Sequence, residues 1–264
     1  MPNASDDRAA WEAVATFWHE RMGEGNDFVE GLIWPLVRRL LPPIAGSHIL
    51  DVGCGNGLYA RKLAAHGANV LAVDYSSRMI AHAQGATSEG EIEYAVVDAS
   101  DAGSLGRLRG PFDAVLSTMA LMDMSDVGPL LGSLPRLLGR TGVFVFATAH
   151  PSFNSAHASL EVGTEGAGEV RVLSYQTPSR RRGLAIRGQP AETFHYHRSL
   201  SKLLRPAFAS DLVLDALEEP SFSAPHPNGT QPGSWGGRYH EFPPVLVGRL
   251  RCMTSNAQPE RQRH

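Results

Sequence analysis

The chain has 264 residues, a formal net charge of −3 at pH 7 and an apolar fraction of 42%. This composition supports one large domain, or a domain with a cap, and argues against a nucleic-acid-binding protein. The sequence contains no run typical of a signal peptide or a membrane span. Because Cys54 and Cys252 lie far apart, we predict two free thiols and a cytoplasmic location.

Two helices are predicted at the N-terminus. The first has apolar side chains at helical spacing over residues 11–22. The second begins at a capping signal formed by Asp27 and Glu30, and Pro35 inside it predicts a kink. We interpret residues 1–43 as a helical lid.

Strands then alternate with helices. Five strands are predicted, in the segments HILDV, NVLAVD, IEYAVVD, FDAVLST and GVFVFATA, and their apolar character is typical of strands covered on both faces. Helices are expected to begin near four residues and to end at two glycines: Gly57, Ser76, Asp101 and Asp126 for the beginnings, Gly67 and Gly139 for the ends. This alternation predicts a doubly wound α/β fold whose cofactor-binding core spans residues 44–150.

The alternation stops after residue 150. Residues 151–198 contain two weak strand candidates, EVRVLSY and ETFHYHR, and we predict that they form a substrate cap over the carboxyl ends of the strands. A basic run at residues 180–182 is interpreted as a solvated loop, with a contact to an anionic substrate as the alternative. Residues 199–252 are predicted to complete the core with one helix and a sixth and seventh strand, and residues 253–264 to be a disordered tail.

The turn after the first strand, in ILDVGCGNG, is rich in glycine. Such turns bind dinucleotides, triphosphates or S-adenosylmethionine. The dinucleotide fingerprint requires a small residue where Leu58 stands, and the Gly-Lys-Ser/Thr of triphosphate loops is absent. Asp51, two residues before Gly53, would repel a pyrophosphate and favour a ligand with ammonium and sulfonium groups.

Acidic residues also end the next two strands. Asp74 is placed to accept hydrogen bonds from a ribose diol, although dinucleotide-binding proteins use an acid there as well. Asp98 is placed to accept from an adenine amino group. The alternative is that these aspartates cap helices or form turns.

The segments LDVGCGNG, AVDYS, VVDAS and FDAVLSTMAL resemble, in order, the motifs of class I S-adenosylmethionine-dependent methyltransferases. RMGEGND, AHPSF, FHYHRSL and EEPSF are similar to the small-molecule, type 11-like branch of that family. The resemblance covers roughly residues 44–148 and extends with the last two strands to about residue 252. It implies a Rossmann-like seven-stranded sheet in the order 3-2-1-4-5-7-6, with the last strand antiparallel.

The same resemblance implies that S-adenosylmethionine is the cofactor and that eight residues at the strand ends contact it. These are Asp51, Gly53 and Gly55 at its methionine part, Asp74 and Tyr75 at the ribose and adenine, Asp98 and Ala99 at the adenine edge, and Met119 near the sulfonium.

Methyl transfer needs alignment and exclusion of water, and a base only when the acceptor arrives protonated. We predict His150 as that base, with a structural hydrogen bond or the lack of any dedicated base as alternatives. His195 and His197 share one face of a strand and are predicted to contact substrate; no metal site is predicted. The other predicted substrate contacts are apolar or aromatic, with ordinary cap core as the alternative: Trp18, Met22, Trp34, Phe153, Trp235 and Tyr239.

The predicted function is methyl transfer to a small-molecule acceptor, in specialised metabolite biosynthesis. One alternative is an RNA or protein methyltransferase, against which the charge and the absence of an NPPY-type motif argue. The other is a non-methylating member that only binds the cofactor. Neither a nucleic-acid nor a membrane partner is predicted, and the sequence does not define an oligomeric state.

Overall fold

The computed structural model describes residues 4–155, 157–162, 168–186, 188–222 and 242–253. Its helices are α1 (Ala4–Met22), a π-helical segment (Phe28–Ile33), α2 (Trp34–Leu40), α3 (Leu58–Ala65), α4 (Ser77–Gly85), α5 (Ala102–Leu105), α6 (Gly128–Leu137) and α7 (Leu200–Phe208). Its strands are β1 (His48–Val52), β2 (Asn69–Asp74), β3 (Glu93–Val96), β4 (Phe112–Thr118), β5 (Leu138–Ala149), β6 (Ala158–Val162), β7 (Gly168–Val172), β8 (Ser179–Gly183), β9 (Thr193–His197), β10 (Leu212–Glu218) and β11 (Val245–Cys252).

Seven strands form one sheet in the order β10-β11-β5-β4-β1-β2-β3. The strands from β1 to β5 pair in parallel, whereas β11 is antiparallel to both of its neighbours. With β10 and β11 as the sixth and seventh strands, this is the predicted order 3-2-1-4-5-7-6. The predicted fold class is therefore confirmed, and the carboxyl ends of β1, β2 and β4 meet at one edge, where ligands of open α/β sheets bind.

Helices cover both faces of this sheet. Alternate strand residues point to opposite faces, so Ile49 packs against α2 and α3, whereas Leu50 packs with α6 and α7. The edge strand β3 departs from the prediction of strands covered on both faces. It has no fully buried residue, and Val96 is 51% exposed.

Three local predictions need correction. The second helix is capped by Asn26, whose Oδ1 accepts from the Val29 N–H at 3.1 Å, and the side chain of Asp27 makes no capping bond. The winding changes from π to α immediately before Pro35, which lies in the first turn of α2, where its missing N–H is not required. Gly139 does not end a helix, because α6 runs directly into β5 at Leu138.

Residues 151–198 contain two antiparallel hairpins, β6–β7 and β8–β9. The predicted strand candidates correspond to β7 and β9, and their partners β6 and β8 were not predicted. The basic run lies on strand β8 and not in a loop. Within it, Arg180 stacks on Phe194, with 3.5 Å between the guanidinium carbon and the ring centre.

Helix α1 is attached to both the core and the second hairpin through one aspartate. The carboxylate of Asp7 accepts a hydrogen bond from the Tyr196 hydroxyl and an ion-paired bond of 2.7 Å from Arg180. Its backbone carbonyl accepts from the Tyr75 hydroxyl at 3.1 Å. We call this group, formed by Asp7, Tyr75, Arg180 and Tyr196, the Asp7 junction.

Candidate active site

A cavity of about 990 Å³ opens at the carboxyl edge of the sheet. This is near the upper end of the range for small-molecule sites, about 300–1,000 Å³. Helix α1, the glycine turn, the loops after β2, β3 and β4, and the hairpin β8–β9 all contribute to its lining. Seven of the eight predicted cofactor contacts line it: Gly53, Gly55, Asp74, Tyr75, Asp98, Ala99 and Met119.

The backbone of the turn after β1 requires glycine. Gly53, Gly55 and Gly57 all have positive φ, at +71°, +54° and +78°. A Cβ at Gly53 would lie 2.5 Å from the Cβ of Ala120. The turn therefore keeps its shape, and its closeness to the loop after β4, only with glycine at residue 53.

Asp74 holds this turn in place at the end of β2. Its two carboxylate oxygens accept from the N–H groups of Gly55, at 3.0 Å, and Ser76, at 2.9 Å. Burial outweighs these bonds and raises the pKa of Asp74 to about 6. A carboxylate can accept about four hydrogen bonds, so both oxygens retain capacity for a ligand.

Asp51 lies outside the cavity lining. It is fully buried, and among the described residues neither of its oxygens accepts a hydrogen bond of ordinary geometry; only the Ala60 backbone N–H interacts with the carboxylate, and weakly. Burial, together with the charge of Asp74, raises the pKa of Asp51 to about 7. The hydroxyl of Tyr59, which lines the cavity, is likewise buried without a partner. Unsatisfied buried polar groups of this kind are rare, and here they adjoin a turn shaped for a ligand.

Because the pKa of Asp51 is raised in the folded protein, its protonated form stabilises the fold. That contribution is complete below pH 3.8 and is lost as the pH rises through about 7. Asp51→Asn mimics the protonated form, so we expect it to raise the free energy of unfolding at pH 8 by at most about 4 kcal/mol, and the melting temperature with it. Thermal unfolding without ligand measures this effect. Equal stability of the variant and the natural protein at pH 8 would contradict it, and pH 4.5 serves as the control.

Another part of the cavity lining comes from the loops that follow β3 and β4. Asp98 accepts from the Ser100 N–H at 2.9 Å and lies 3.6 Å from the guanidinium of Arg8. Met119 has a positive φ of +52°, which is uncommon outside glycine, and its N–H donates to the Ala147 carbonyl. Such backbone strain clusters at ligand sites.

The predicted substrate contacts divide into three groups. Five line the cavity: Trp18, Met22, Phe153, His195 and His197. Trp34 is wrong as a substrate contact, because it is buried against Tyr59 and His66 and does not line the cavity. Trp235 and Tyr239 lie outside the described residues.

His150 does not line the cavity. Its Nδ1 accepts from the backbone N–H groups of Ser152 and Phe153, which leaves Nε2 to donate to Glu219 at 2.8 Å. Burial lowers its pKa despite the contact with Glu219. Both ring nitrogens are used in holding the turn after β5, so the geometry contradicts the predicted role of general base and matches the structural alternative.

A histidine–aspartate pair does line the cavity. Nδ1 of His195 on β9 lies 2.8 Å from Oδ1 of Asp123, in the loop after β4. Neither Asp123 nor Asp7, whose carboxylate joins α1 to the hairpin, was predicted as a site residue. Asp123 could have been a candidate because it lies just beyond the carboxyl end of a parallel strand.

Metal ligation is not evident in the described part of the chain. It contains no group of three or more His, Cys, Asp or Glu side chains placed to hold an ion. Cys54 and Cys252 are free thiols, as predicted. Among the helices of the described residues, none has the length and apolar content needed to cross a membrane.

The central segment of the chain is similar to known methyltransferases. Residues 50–146 match the family model described as "Methyltransferase domain", of type 11. The chain is 32% identical over 123 residues to a ubiquinone biosynthesis O-methyltransferase of Caulobacter sp. (strain K31), covering 47% of this chain and 48% of that protein. It is 32% identical over 116 residues to a malonyl-[acyl-carrier protein] O-methyltransferase of Acetivibrio thermocellus, covering 43% and 40%. The chain thus spans about half the length, or less, of these curated relatives.

A solved structure extends the similarity beyond this segment. An S-adenosylmethionine-dependent methyltransferase from Mesorhizobium loti superposes with a TM-score of 0.65 and 26% identity, covering 83% of this chain and 96% of that one. The segment that resembles the class I S-adenosylmethionine-dependent methyltransferases, type 11-like branch, thus matches a methyltransferase family model over residues 50–146, and the neighbouring structure shares the fold over most of the chain.

Proposed function

We infer that this chain, whose residues 50–146 match a methyltransferase family model, is an enzyme that transfers a methyl group from S-adenosylmethionine to a small-molecule acceptor. The observation that carries this inference is the fully buried Asp51 carboxylate, which accepts no hydrogen bond of ordinary geometry among the described residues, next to a turn that requires glycine. When bound, S-adenosylmethionine supplies a methyl group already activated on a positively charged sulfur.

The residues at the sheet edge fit that cofactor. Asp51 would compensate its positive charge, which would reduce the electrostatic cost of the buried carboxylate. Asp74, which holds the glycine turn, would also accept from the ribose hydroxyls. Asp98 and Ala99 would hold the adenine edge, and Met119 would contact the methionine end of the cofactor.

The rest of the cavity accommodates the acceptor. It is lined by Trp18 and Met22 from α1, by Phe153, and by residues of the β8–β9 hairpin, which suits a flat or apolar molecule. The two relatives named above are O-methyltransferases, which supports an oxygen acceptor. The formal charge of −3 supports a small metabolite over a nucleic acid. We propose that the enzyme acts in specialised metabolism and in the cytoplasm.

We further assign residues 1–43 as a lid and residues 151–198 as a cap. The Asp7 junction ties the two together over the cavity, and the packing of Trp11, Val14 and Ala15 on Met79 of α4 anchors the lid to the core. A closed lid aligns the reactants and excludes water, which is what methyl transfer requires of the protein.

The test begins with the purified protein and no acceptor. Calorimetry is expected to show binding of S-adenosylhomocysteine in the micromolar range or tighter and no binding of NAD. The protein is then incubated with S-adenosylmethionine and separate pools of phenols, carboxylic acids and amines, and S-adenosylhomocysteine is quantified by mass spectrometry. Failure to bind S-adenosylhomocysteine would refute the cofactor assignment. Binding without turnover of any pool would favour the non-methylating alternative.

A further inference from the structure

We propose that Asp123 and His195 form a catalytic dyad, in which His195 removes the proton from a hydroxyl group of the acceptor. This inference rests on the proposed methyl transfer and adds to it the class of acceptor. It assigns the site to molecules that present a hydroxyl group, such as phenols, rather than a carboxylate.

The first support is the geometry of the pair. Both side chains line the cavity, and the bond from His195 Nδ1 to Asp123 Oδ1 is 2.8 Å. Among the described residues, Nε2, the other ring nitrogen, makes no hydrogen bond of ordinary length: it has a long contact of 3.4 Å to the Thr193 hydroxyl, and the Gly183 backbone lies beside the ring. One nitrogen is thus held by a carboxylate, while the other keeps its capacity for a strong hydrogen bond to a ligand.

The second support is that the surrounding backbone is built to hold this pair. The guanidinium of Arg198 donates to three carbonyls in the loop that carries Asp123, those of Leu121, Met124 and Ser125, at 3.4, 2.6 and 2.6 Å. The Tyr196 N–H donates to the Met122 carbonyl at 2.7 Å. The strand of His195 is therefore fixed to the loop of Asp123 on both sides of the dyad, which is the rigidity that a catalytic contact requires.

The contrast with His150 is the third support. That imidazole uses Nδ1 for two backbone N–H groups and Nε2 for Glu219, and it does not line the cavity. Among the histidines predicted as base or substrate contact, His195 alone combines a carboxylate partner with a place in the cavity lining. His197 also lines the cavity, but its Nε2 is bonded to the Tyr175 carbonyl.

Electrostatics favour the same tautomer. With Asp123 ionised and accepting from Nδ1–H, the neutral ring carries its lone pair on Nε2. Burial lowers the pKa of His195, but the hydrogen bond and charge of Asp123, together with the Gly183 backbone, raise it by more, so that it lies above 6.5. Three other charged groups of the described residues face the dyad: Arg181, opposite His195 on β8, Asp7, which raises the pKa of Asp123, and Asp74, whose own pKa is raised by Asp123.

The proposed step balances without any further reactant. The acceptor oxygen forms the new bond to the methyl carbon, and the bond between that carbon and sulfur breaks with its electron pair remaining on sulfur. The hydroxyl proton passes to Nε2 of His195, which later returns it to water. A carboxylate acceptor, already ionised at neutral pH, has no proton to give and would leave the dyad unused.

The first experiment does not depend on turnover. Imidazole resonances of protein saturated with S-adenosylhomocysteine are titrated by NMR, with His195→Gln to assign the signal. We expect the pKa of His195 to lie above 6.5 and to fall in Asp123→Asn. A value at or below 6.5, or one that Asp123→Asn leaves unchanged, overturns the dyad. Failure of S-adenosylhomocysteine to bind would instead overturn the proposed function.

The second experiment uses catechol as the hydroxyl probe and monomethyl malonate as the carboxylate probe. His195→Gln is expected to lower turnover of catechol by about 10²–10⁴-fold with unchanged affinity for S-adenosylhomocysteine. The control His66→Gln, at an exposed residue outside the cavity, is expected to keep normal turnover. Turnover in the natural protein should rise with pH through the pKa of His195, and in Asp123→Asn this rise should shift to lower pH. Methylation of the carboxylate probe alone, or catechol turnover unaffected by His195→Gln, overturns the proposal. If neither probe reacts, the titration decides it.

Discussion

Gly53→Ala is expected to reduce the affinity for S-adenosylhomocysteine by at least about 100-fold. The new Cβ would lie 2.5 Å from the Cβ of Ala120, and the residue would have to keep a φ of +71°. The left-handed conformation costs about 1–2 kcal/mol and overpacking about 1–3 kcal/mol more, so the turn must shift to relieve both. A shifted turn no longer presents its backbone to the ligand. Titration calorimetry and thermal unfolding measure the two consequences.

Gly46→Ala provides the matched control. Gly46 also has a positive φ, +79°, but a Cβ there would meet nothing within 4 Å, and the residue lies outside the cavity. We expect it to lose about 1 kcal/mol of stability and no affinity. If Gly53→Ala bound the ligand as tightly as Gly46→Ala does, close approach at residue 53 would not be part of the site.

Asp74→Ala is expected to weaken the binding of S-adenosylhomocysteine by about 100-fold or more. The substitution removes the acceptor for the N–H groups of Gly55 and Ser76 as well as the proposed contact to the ribose. Hydrogen bonds to a charged group contribute roughly 1.5–3 kcal/mol each, and each 1.4 kcal/mol is a factor of about ten. Asp74→Asn keeps one acceptor oxygen and should lose less, about tenfold.

The pH dependence gives an independent check on Asp74. Because its pKa is about 6 in the absence of ligand, the carboxylate becomes protonated below that pH and loses acceptor capacity. Affinity in the natural protein is therefore expected to fall between pH 7 and pH 5. Asp51, with a pKa of about 7, contributes to this fall, and Asp74→Ala should remove the part that is due to Asp74. An equal affinity of the natural protein and Asp74→Ala at pH 7.5 would refute the assignment.

Much of the fold could be predicted from the sequence, because the central strands are buried on both faces and therefore read as near-continuous apolar runs. The bounds of β1, β2 and β4 coincide with the predicted segments, and Gly67, with a φ of +88°, lies in the turn after α3 as expected. The cofactor-binding edge of the sheet could also be predicted. The carboxyl ends of parallel strands form the edge where ligands bind, and the aspartates at the end of β2 and just after β3, Asp74 and Asp98, line the cavity there.

The acceptor side could not be predicted in the same way. Asp123 and His195 are separated by 72 residues, and no local pattern marks them as partners. His150 directly follows β5, as predicted, but the turn that it begins directs its Nδ1 to the backbone, and position after a strand does not reveal that. Trp34 shows the same ambiguity, because an aromatic residue near a site packs equally well in the core.

The Asp7 junction connects the entry and release of the cofactor with those of the acceptor. Helix α1 contributes Asp7 and Trp18 to the cavity lining, so under the proposed lid role a wide opening for the cofactor would displace this helix. That displacement would break the bonds from Asp7 to Tyr196 and Tyr75 together, since one residue makes both. Tyr196 directly follows the dyad histidine on its strand, so opening would also loosen the acceptor side. Loading and unloading of the two ligands would then be coupled, and the junction would contribute to the lifetime of the product complex.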